Sequence, residues 1–167
     1  APDQGLNLAF RASVIDSTWS ANLPPQHNKI LLFPESRRKE KCWPFFKELS
    51  QILVNEDIGH VIVSGIQKDD SYTHAIDLRG RIPLRSIPAL IRKASVVISN
   101  DSAPLHIASA MGIPVLGIFG PTEPIEYGPY PASKKNGEVI SSSTDSISEV
   151  TVRQVFDKIL SMLDTIS

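Results

Sequence analysis

The sequence predicts an α/β domain built on a Rossmann-like parallel sheet with helices on both faces. Short apolar runs alternate along the chain with helix-length stretches, the arrangement that generates βαβ units. Those runs are continuously apolar rather than alternating, as strands covered on both faces must be. The stretch VVISNDSAPLHIASAMGIPVLGIFGP, Val96 to Pro121, shows the unit most plainly: buried strand, tight turn at Asn100, Asp101 and Ser102, helix, second buried strand. A helix start exposes unpaired N–H groups and the positive end of its dipole, and here it follows the carboxyl end of a strand, where open α/β sheets bind ligands. The turn therefore points to a phosphate-bearing ligand, a nucleotide above all.

The elements follow in order. Residues 1–28 are weakly patterned, and Pro24-Pro25 cannot continue a helix, so this stretch reads as a linker or the tail of a preceding domain. Lys29 to Pro34 is a short apolar strand, and the polar loop Glu35 to Lys41 leads to Trp43-Pro44, which opens a helix running to about Val54. Its apolar face is expected at Phe45, Phe46, Leu49, Ile52 and Leu53. His60 to Ser64 is a second strand, Thr73 to Leu78 a short third, and Leu84 to Ala94 a helix with Ile87, Leu90 and Ile91 inward. After the Val96–Ile98 strand come the Ser102–Met111 helix and the Val115–Phe119 strand. Gly120 to Gly137, dense in proline and glycine, should be an ordered loop, and Val139-Ile140 a last strand. Val150 to Leu163 is amphipathic, with Val152, Val155, Phe156, Ile159, Leu160 and Leu163 as its apolar stripe. Residues 29–167 thus form one domain, which 167 residues can supply with a sizeable core.

Composition narrows the function. Hydrophobic content of 41% and charged content of 21% are those of an ordinary globular chain, and a net charge of −1 gives no support to nucleic-acid binding. The single cysteine, Cys42, excludes an internal disulfide and a cysteine-cluster metal site. With only the adjacent Asp69-Asp70 and no His/carboxylate cluster, neither a metal nor a resident cofactor is expected. No apolar run is long enough to span a bilayer, and no signal peptide is visible. A chain that starts Ala-Pro-Asp, without an initiator methionine, is expected to continue a longer protein. The dinucleotide fingerprint G-x-G-x-x-G, the G-x-x-x-x-G-K-[ST] loop and the G-x-S-x-G elbow are all absent.

Beyond these local features, SNDSAPLHIASAMGIPVLGIFGPTEP followed by YGPYP resembles the carboxy-terminal half of family 9 glycosyltransferases, the ADP-heptose:lipopolysaccharide heptosyltransferases and their relatives. Their pattern is N-D-[ST]-G-x-x-H-x-A-A-A-x-G, a strand, then F-G-P-T. This chain matches at Asn100, Asp101, Ser102, His106, Ala108, Ala110, Gly112, Phe119, Gly120, Pro121 and Thr122, and departs at Ala103, where the family has glycine. FPESRRKEKCWP carries the family's loop lysine before Trp-Pro, as Lys41, Trp43 and Pro44. LRGRIPLRSIPALIRKASVVISND resembles the run that enters the hallmark strand. The matches cover roughly residues 29–131, with a family-like closing helix after Val150.

The resemblance implies a GT-B enzyme, two Rossmann-like domains across a cleft. This chain would be the carboxy-terminal one, which holds the nucleoside-diphosphate sugar, ADP-heptose in the family. The catalytic base and the lipopolysaccharide-core acceptor would lie on the amino-terminal domain. It also implies a cytoplasmic protein, with peripheral association of the full enzyme with the inner membrane left open. Asp101 and Ser102 fall where the family places its diphosphate-binding turn, although Asp and Ser are also common helix caps. Ala103 is expected to be extended, because Pro104 disfavours helical φ/ψ before it. His106, one turn beyond Ser102, reads better on its own as a hydrogen-bonded core histidine; the resemblance reverses that and implies that it reaches a phosphate oxygen. Lys41 would meet the diphosphate or ribose, against its reading as one solvated lysine in a charged run. Ser36 and Arg37 align with loop residues near the phosphates, Arg37 in place of a small hydroxyl residue, and Asp69 or Asp70 stands near the family's ribose-binding acid. Trp43 reads as core. The rival functions are a non-catalytic nucleotide or sugar-phosphate binding module and a GT-B-fold nucleotide-sugar epimerase; the latter needs Glu-rich sugar-handling residues that SAPLHIASA does not offer.

Overall fold

The computed structural model describes residues 28–66, 72, 74–120, 137–142 and 146–166. Six strands form one parallel sheet: β1 (Asn28–Phe33), β2 (Gly59–Val63), β3 (Ile76–Asp77), β4 (Val96–Asn100), β5 (Val115–Phe119) and β6 (Gly137–Ser141). Their spatial order is β3-β2-β1-β4-β5-β6, so the direction of winding reverses between β1 and β4. The helices are α1 (Phe46–Asn55), α2 (Ile87–Arg92), α3 (Ala103–Ala110) and α4 (Val152–Ile166). This is the doubly wound α/β class expected from the sequence.

Alternate residues of each strand feed two cores. Ile30, Leu32, Val61, Val63, Val96 and Ile98 pack with α1 and α4 on one face. Leu31, Phe33, Ile62 and Val97 pack with α2 and α3 on the other. Both faces being covered, β4 and β5 are buried along their whole length, which is why they read as unbroken apolar runs. Gly117 lets α3 lie close on β5: a Cβ there would stand 2.7 Å from Cε2 of Phe119 and 3.1 Å from Cδ1 of Leu105.

Several boundaries differ from the sequence expectation for local reasons. Trp43-Pro44 stands ahead of α1, which begins at Phe46 with Phe45 as its N-cap. Ile52 is not part of the buried face and is 36% exposed; at about 100° per residue it lies about 120° round the helix from Phe46. Leu84–Ser86 is a 3-10 turn and α2 proper starts at Ile87. Pro88 has no N–H to give the carbonyl of Leu84, so the Ile87 N–H takes that carbonyl instead and the turn tightens. β3 is reduced to Ile76–Asp77. α4 starts at Val152 behind a reciprocal cap, with the Thr151 N–H donating to Oε1 of Gln154 at 2.8 Å and the Gln154 N–H donating to Oγ1 of Thr151 at 3.1 Å. The expected 120–137 loop and the 1–28 segment, apart from their end residues Gly120, Gly137 and Asn28, lie outside the described residues. Among the described residues no helix is long and apolar enough to cross a membrane.

Candidate functional site

The reversal between β1 and β4 opens a crevice at the carboxyl ends of the strands, the place where open α/β sheets hold ligands. Two segments meet there: the loop after β1, which carries Ser36 and Lys41, and the turn after β4, which carries Asp101 and Ser102. Asn100 fastens them together. Its fully buried amide accepts from the Trp43 N–H at 3.0 Å through Oδ1 and donates to the Pro34 carbonyl at 2.8 Å through Nδ2. Trp43, 2% exposed, donates from Nε1 to the Val150 carbonyl at 2.8 Å. Trp43 is therefore core, as its sequence context indicated, and its indole anchors the loop to the entry of α4.

The candidate residues cluster on this frame. Nζ of Lys41 pairs with Oδ2 of Asp101 at 2.7 Å. Nε2 of His106 stands 3.6 Å from Oδ1 of the same carboxylate. Oγ of Ser36 donates to the Asp101 carbonyl at 3.4 Å. One carboxylate, 10% exposed, thus gathers a lysine from β1's loop and a histidine from α3. His106 is 47% exposed, so it is not a core histidine. Lys41 is not a freely solvated lysine either, since its amino group is held by Asp101.

Ser102 occupies the N-cap position of α3 with φ −157° and ψ 173°, yet its hydroxyl makes no capping bond. Oγ of Ser102 lies instead 3.1 Å from Oγ of Ser99. The turn therefore does not use its side chain to close the helix start. Leu105 donates its N–H to the Ser102 carbonyl at 3.1 Å, and Pro104 has no N–H to offer. Ala103 is not extended as expected but is the first residue of α3. The restriction that proline places on its predecessor is a preference, and the gain of starting the helix one residue earlier outweighs it here. Ala103 has no positive φ, so the departure from glycine costs no backbone strain.

A cleft of about 700 Å³ runs from this turn towards β2 and β3. Ser36, Arg37, Ser102 and Ala103 line one end, and Ile66, Tyr72, Arg79 and Leu84 the other. Its walls hold residues that the sequence reading did not single out. Glu35 accepts from the Ile66 N–H at 2.8 Å, and its carboxylate lies over Gly65, where a Cβ would come 2.7 Å from Oε1 of Glu35. Arg79, 3% exposed, donates from Nε to Oδ1 of Asp77 at 3.0 Å and from Nη2 to Oδ2 at 3.1 Å, with its guanidinium 4.6 Å from the centre of the Tyr72 ring. Ser64 lines the cleft with a buried Oγ that finds no hydrogen-bond partner among the described residues. Lys41 faces a second, smaller cleft of about 470 Å³ shared with Gly120 and Ser146–Ser148. Cys42 lies between the two clefts, and burial pushes its thiol pKa up, with the nearby Glu35 and Glu40 charges adding to the rise against the opposing hydrogen bond to Ser36. Asp69, the candidate ribose-binding acid, and Asp70 lie outside the described residues. Among the described residues, no group of three or more His, Cys, Asp or Glu side chains could hold a metal ion.

The geometry can be set beside known proteins. Lipopolysaccharide core heptosyltransferase OpsX of Haemophilus influenzae is 29% identical over 113 residues, a span covering 60% of this chain and 33% of that protein. The crystal structure of a family 9 glycosyl transferase from Veillonella parvula superposes with a TM-score of 0.76 at 20% identity, over 93% of this chain and 51% of that one. E. coli heptosyltransferase WaaC with ADP superposes with a TM-score of 0.70 at 20% identity, over 86% of this chain and 47% of that one. The chain thus spans a third of that curated relative and about half of each solved structure. The model of glycosyltransferase family 9 (heptosyltransferase) matches residues 9–159, and with most of its length inside that match the chain belongs to glycosyltransferase family 9.

Proposed function

We propose that residues 29–167 are the donor-binding domain of a glycosyltransferase that moves a heptose, or a related sugar, from a nucleoside-diphosphate sugar to a lipopolysaccharide-core-type acceptor. The observation that carries this reading is the assembly of Lys41, Asp101 and His106 beside the open start of α3, at the switch point of the sheet. In the reaction, an acceptor hydroxyl attacks the anomeric carbon and the nucleoside diphosphate departs with the bonding electrons. Negative charge grows on the leaving oxygens. Fixed N–H groups at the α3 start, the Ser36 and Ser102 hydroxyls, Lys41 and His106 are placed to stabilise it, and being preorganised they cost no rearrangement as the charge develops. Asp101 holds Lys41 and His106 in position rather than meeting the anion itself.

The nucleotide is ADP in this reading, because WaaC, a structural relative, has been solved with ADP and with ADP-2-deoxy-2-fluoro heptose. The general base for the acceptor hydroxyl and the acceptor surface are assigned to a preceding domain, since the relatives are two to three times as long as the aligned span. Asp69 is assigned to the ribose. The protein is read as cytoplasmic, with the full enzyme touching the inner membrane only peripherally. Titration of the chain with ADP and then with ADP-heptose by calorimetry tests the proposal: both bind at one site and compete. Absence of heat with either ligand refutes it.

A further inference from the structure

Ser64 stands just past the end of β2, and its Oγ is, among the described residues, the one buried side-chain nitrogen or oxygen without a hydrogen-bond partner. The residue is fully buried, yet it lines the 700 Å³ cleft. Its main chain is fixed on every side. The Ser64 N–H donates to the Leu32 carbonyl at 3.0 Å, the Gly80 N–H to the Gly65 carbonyl at 2.8 Å, and the Ile66 N–H to the Glu35 carboxylate at 2.8 Å. A hydroxyl held in place and left unpaired destabilises the free chain, and alanine there would remove that penalty. A second observation concerns the same cleft. Of the four large apolar side chains exposed among the described residues, Ile66 and Leu84 line it, at 68% and 72% exposed, whereas Ile52 and Ile76 do not. An open apolar wall beside a buried polar atom is the lining of a small-molecule site. The wall suits a flat apolar face, and the hydroxyl, which both donates and accepts, suits a polar edge.

We propose that Ser64 is a specificity-determining residue: its hydroxyl hydrogen-bonds the edge of a nucleobase whose face lies on Ile66 and Leu84, and it goes unpaired until that base arrives. The inference rests on the donor-domain reading. A base meets both observations, since it carries apolar faces and a polar edge in one plane. A sugar ring, with hydroxyls all round it, offers less to the apolar wall. Ser64 selects by exclusion as well as by attraction, because an apolar ligand without a polar edge leaves the buried hydroxyl unpaired and is rejected for it. The free chain therefore gives up stability at Ser64 that binding recovers.

The test pairs thermal melts with calorimetric titrations of the full chain, unaltered and with Ser64→Ala, using ADP, 2′,3′-dideoxy-ADP and pyrophosphate. Ser64→Ala should raise the Tm of the free chain by about 2–4 °C, since it removes an unpaired buried hydroxyl. The same change should weaken ADP about five- to tenfold, the worth of one neutral hydrogen bond. A serine kept only for the fold does not move those two readouts in opposite directions. The factor lost should be the same with dideoxy-ADP, which keeps the base and lacks both ribose hydroxyls. Pyrophosphate, which has no base, should bind both chains alike. An unchanged or lowered Tm, no weakening of ADP, an equal loss with pyrophosphate, or a loss that vanishes with dideoxy-ADP overturns the assignment; the last would give the hydroxyl to the ribose. Failure of the unaltered chain to bind ADP at all would instead overturn the donor-domain reading beneath it.

Discussion

Asn100→Ala should cost the domain about 1.5–4.5 kcal/mol, and the figure can be built from the two groups that it orphans. The side chain is fully buried and makes one hydrogen bond in each direction, 3.0 Å from the Trp43 N–H and 2.8 Å to the Pro34 carbonyl. The Trp43 N–H is buried and has no route to water, so leaving it unpaired carries the desolvation penalty, about 1–3 kcal/mol. Pro34 is only half-buried, and its carbonyl can recover a water, so that loss stays near the net worth of one hydrogen bond, about 0.5–1.5 kcal/mol. For a domain of this size the sum lowers Tm by about 5–15 °C. Urea unfolding should move the midpoint to lower concentration at constant slope. Asn100→Asp discriminates further. A carboxylate can still accept from Trp43 but has no proton for Pro34, and it buries a charge, so it should be at least as destabilising as alanine. A loss under about 1 kcal/mol for Asn100→Ala, or an aspartate that restores stability, would refute the clamp.

Other outcomes follow from the same geometry. Lys41→Ala should weaken ADP by about 1.5–3 kcal/mol, since it removes a cation and exposes the Asp101 carboxylate to the phosphates, while adenosine binding is spared; adding Asp101→Asn should restore part of the loss, and calorimetry reads both. Its effect on stability should stay within about 1 kcal/mol, as the lysine is partly solvent-exposed, which chemical denaturation checks. Cys42 should be alkylated by iodoacetamide more slowly than a free thiol at neutral pH, because burial raises its pKa and keeps it protonated to higher pH; the rate should rise only at a pH above that at which an ordinary thiol responds. On the proposed reading, in which the base and the acceptor surface belong to a preceding domain, the chain alone should transfer no labelled sugar to a lipopolysaccharide-core acceptor, because it forgoes the proximity contribution, roughly 7–11 kcal/mol of barrier in favourable cases.

How much of this was legible in the sequence depended on the range of the interaction. The four inner strands and the inward faces of α2 and α4 follow from local apolar patterning, because a strand covered on both faces has to be apolar throughout, whereas the edge strands β3 and β6 are only partly buried and leave a weaker pattern. The meeting of Lys41 with Asp101 could be expected only because a family resemblance tied two distant segments to one ligand; no periodicity connects residues 60 apart in sequence. The Glu35 contact with Ile66, 31 residues away, is hidden for the same reason, whereas the Arg79–Asp77 fork over Tyr72 joins residues two apart and is hidden because nothing in the sequence marks Arg79 as buried. Each looks, residue by residue, like ordinary surface charge. Asn100 was read as part of a turn, and its work as a clamp appears only once Pro34 and Trp43 are seen on either side of it. Ala103 shows the limit of a local rule: Pro104 argued for an extended neighbour, and the helix began there regardless.

The most direct test of the donor-domain account is amide chemical-shift mapping of the chain during titration with ADP. The account predicts shifts concentrated at Ser36 and Lys41 in the loop after β1, at Asp101, Ser102 and Ala103 in the turn after β4, and at His106 on α3. Binding that left these amides unmoved and shifted those of α4 instead would contradict it.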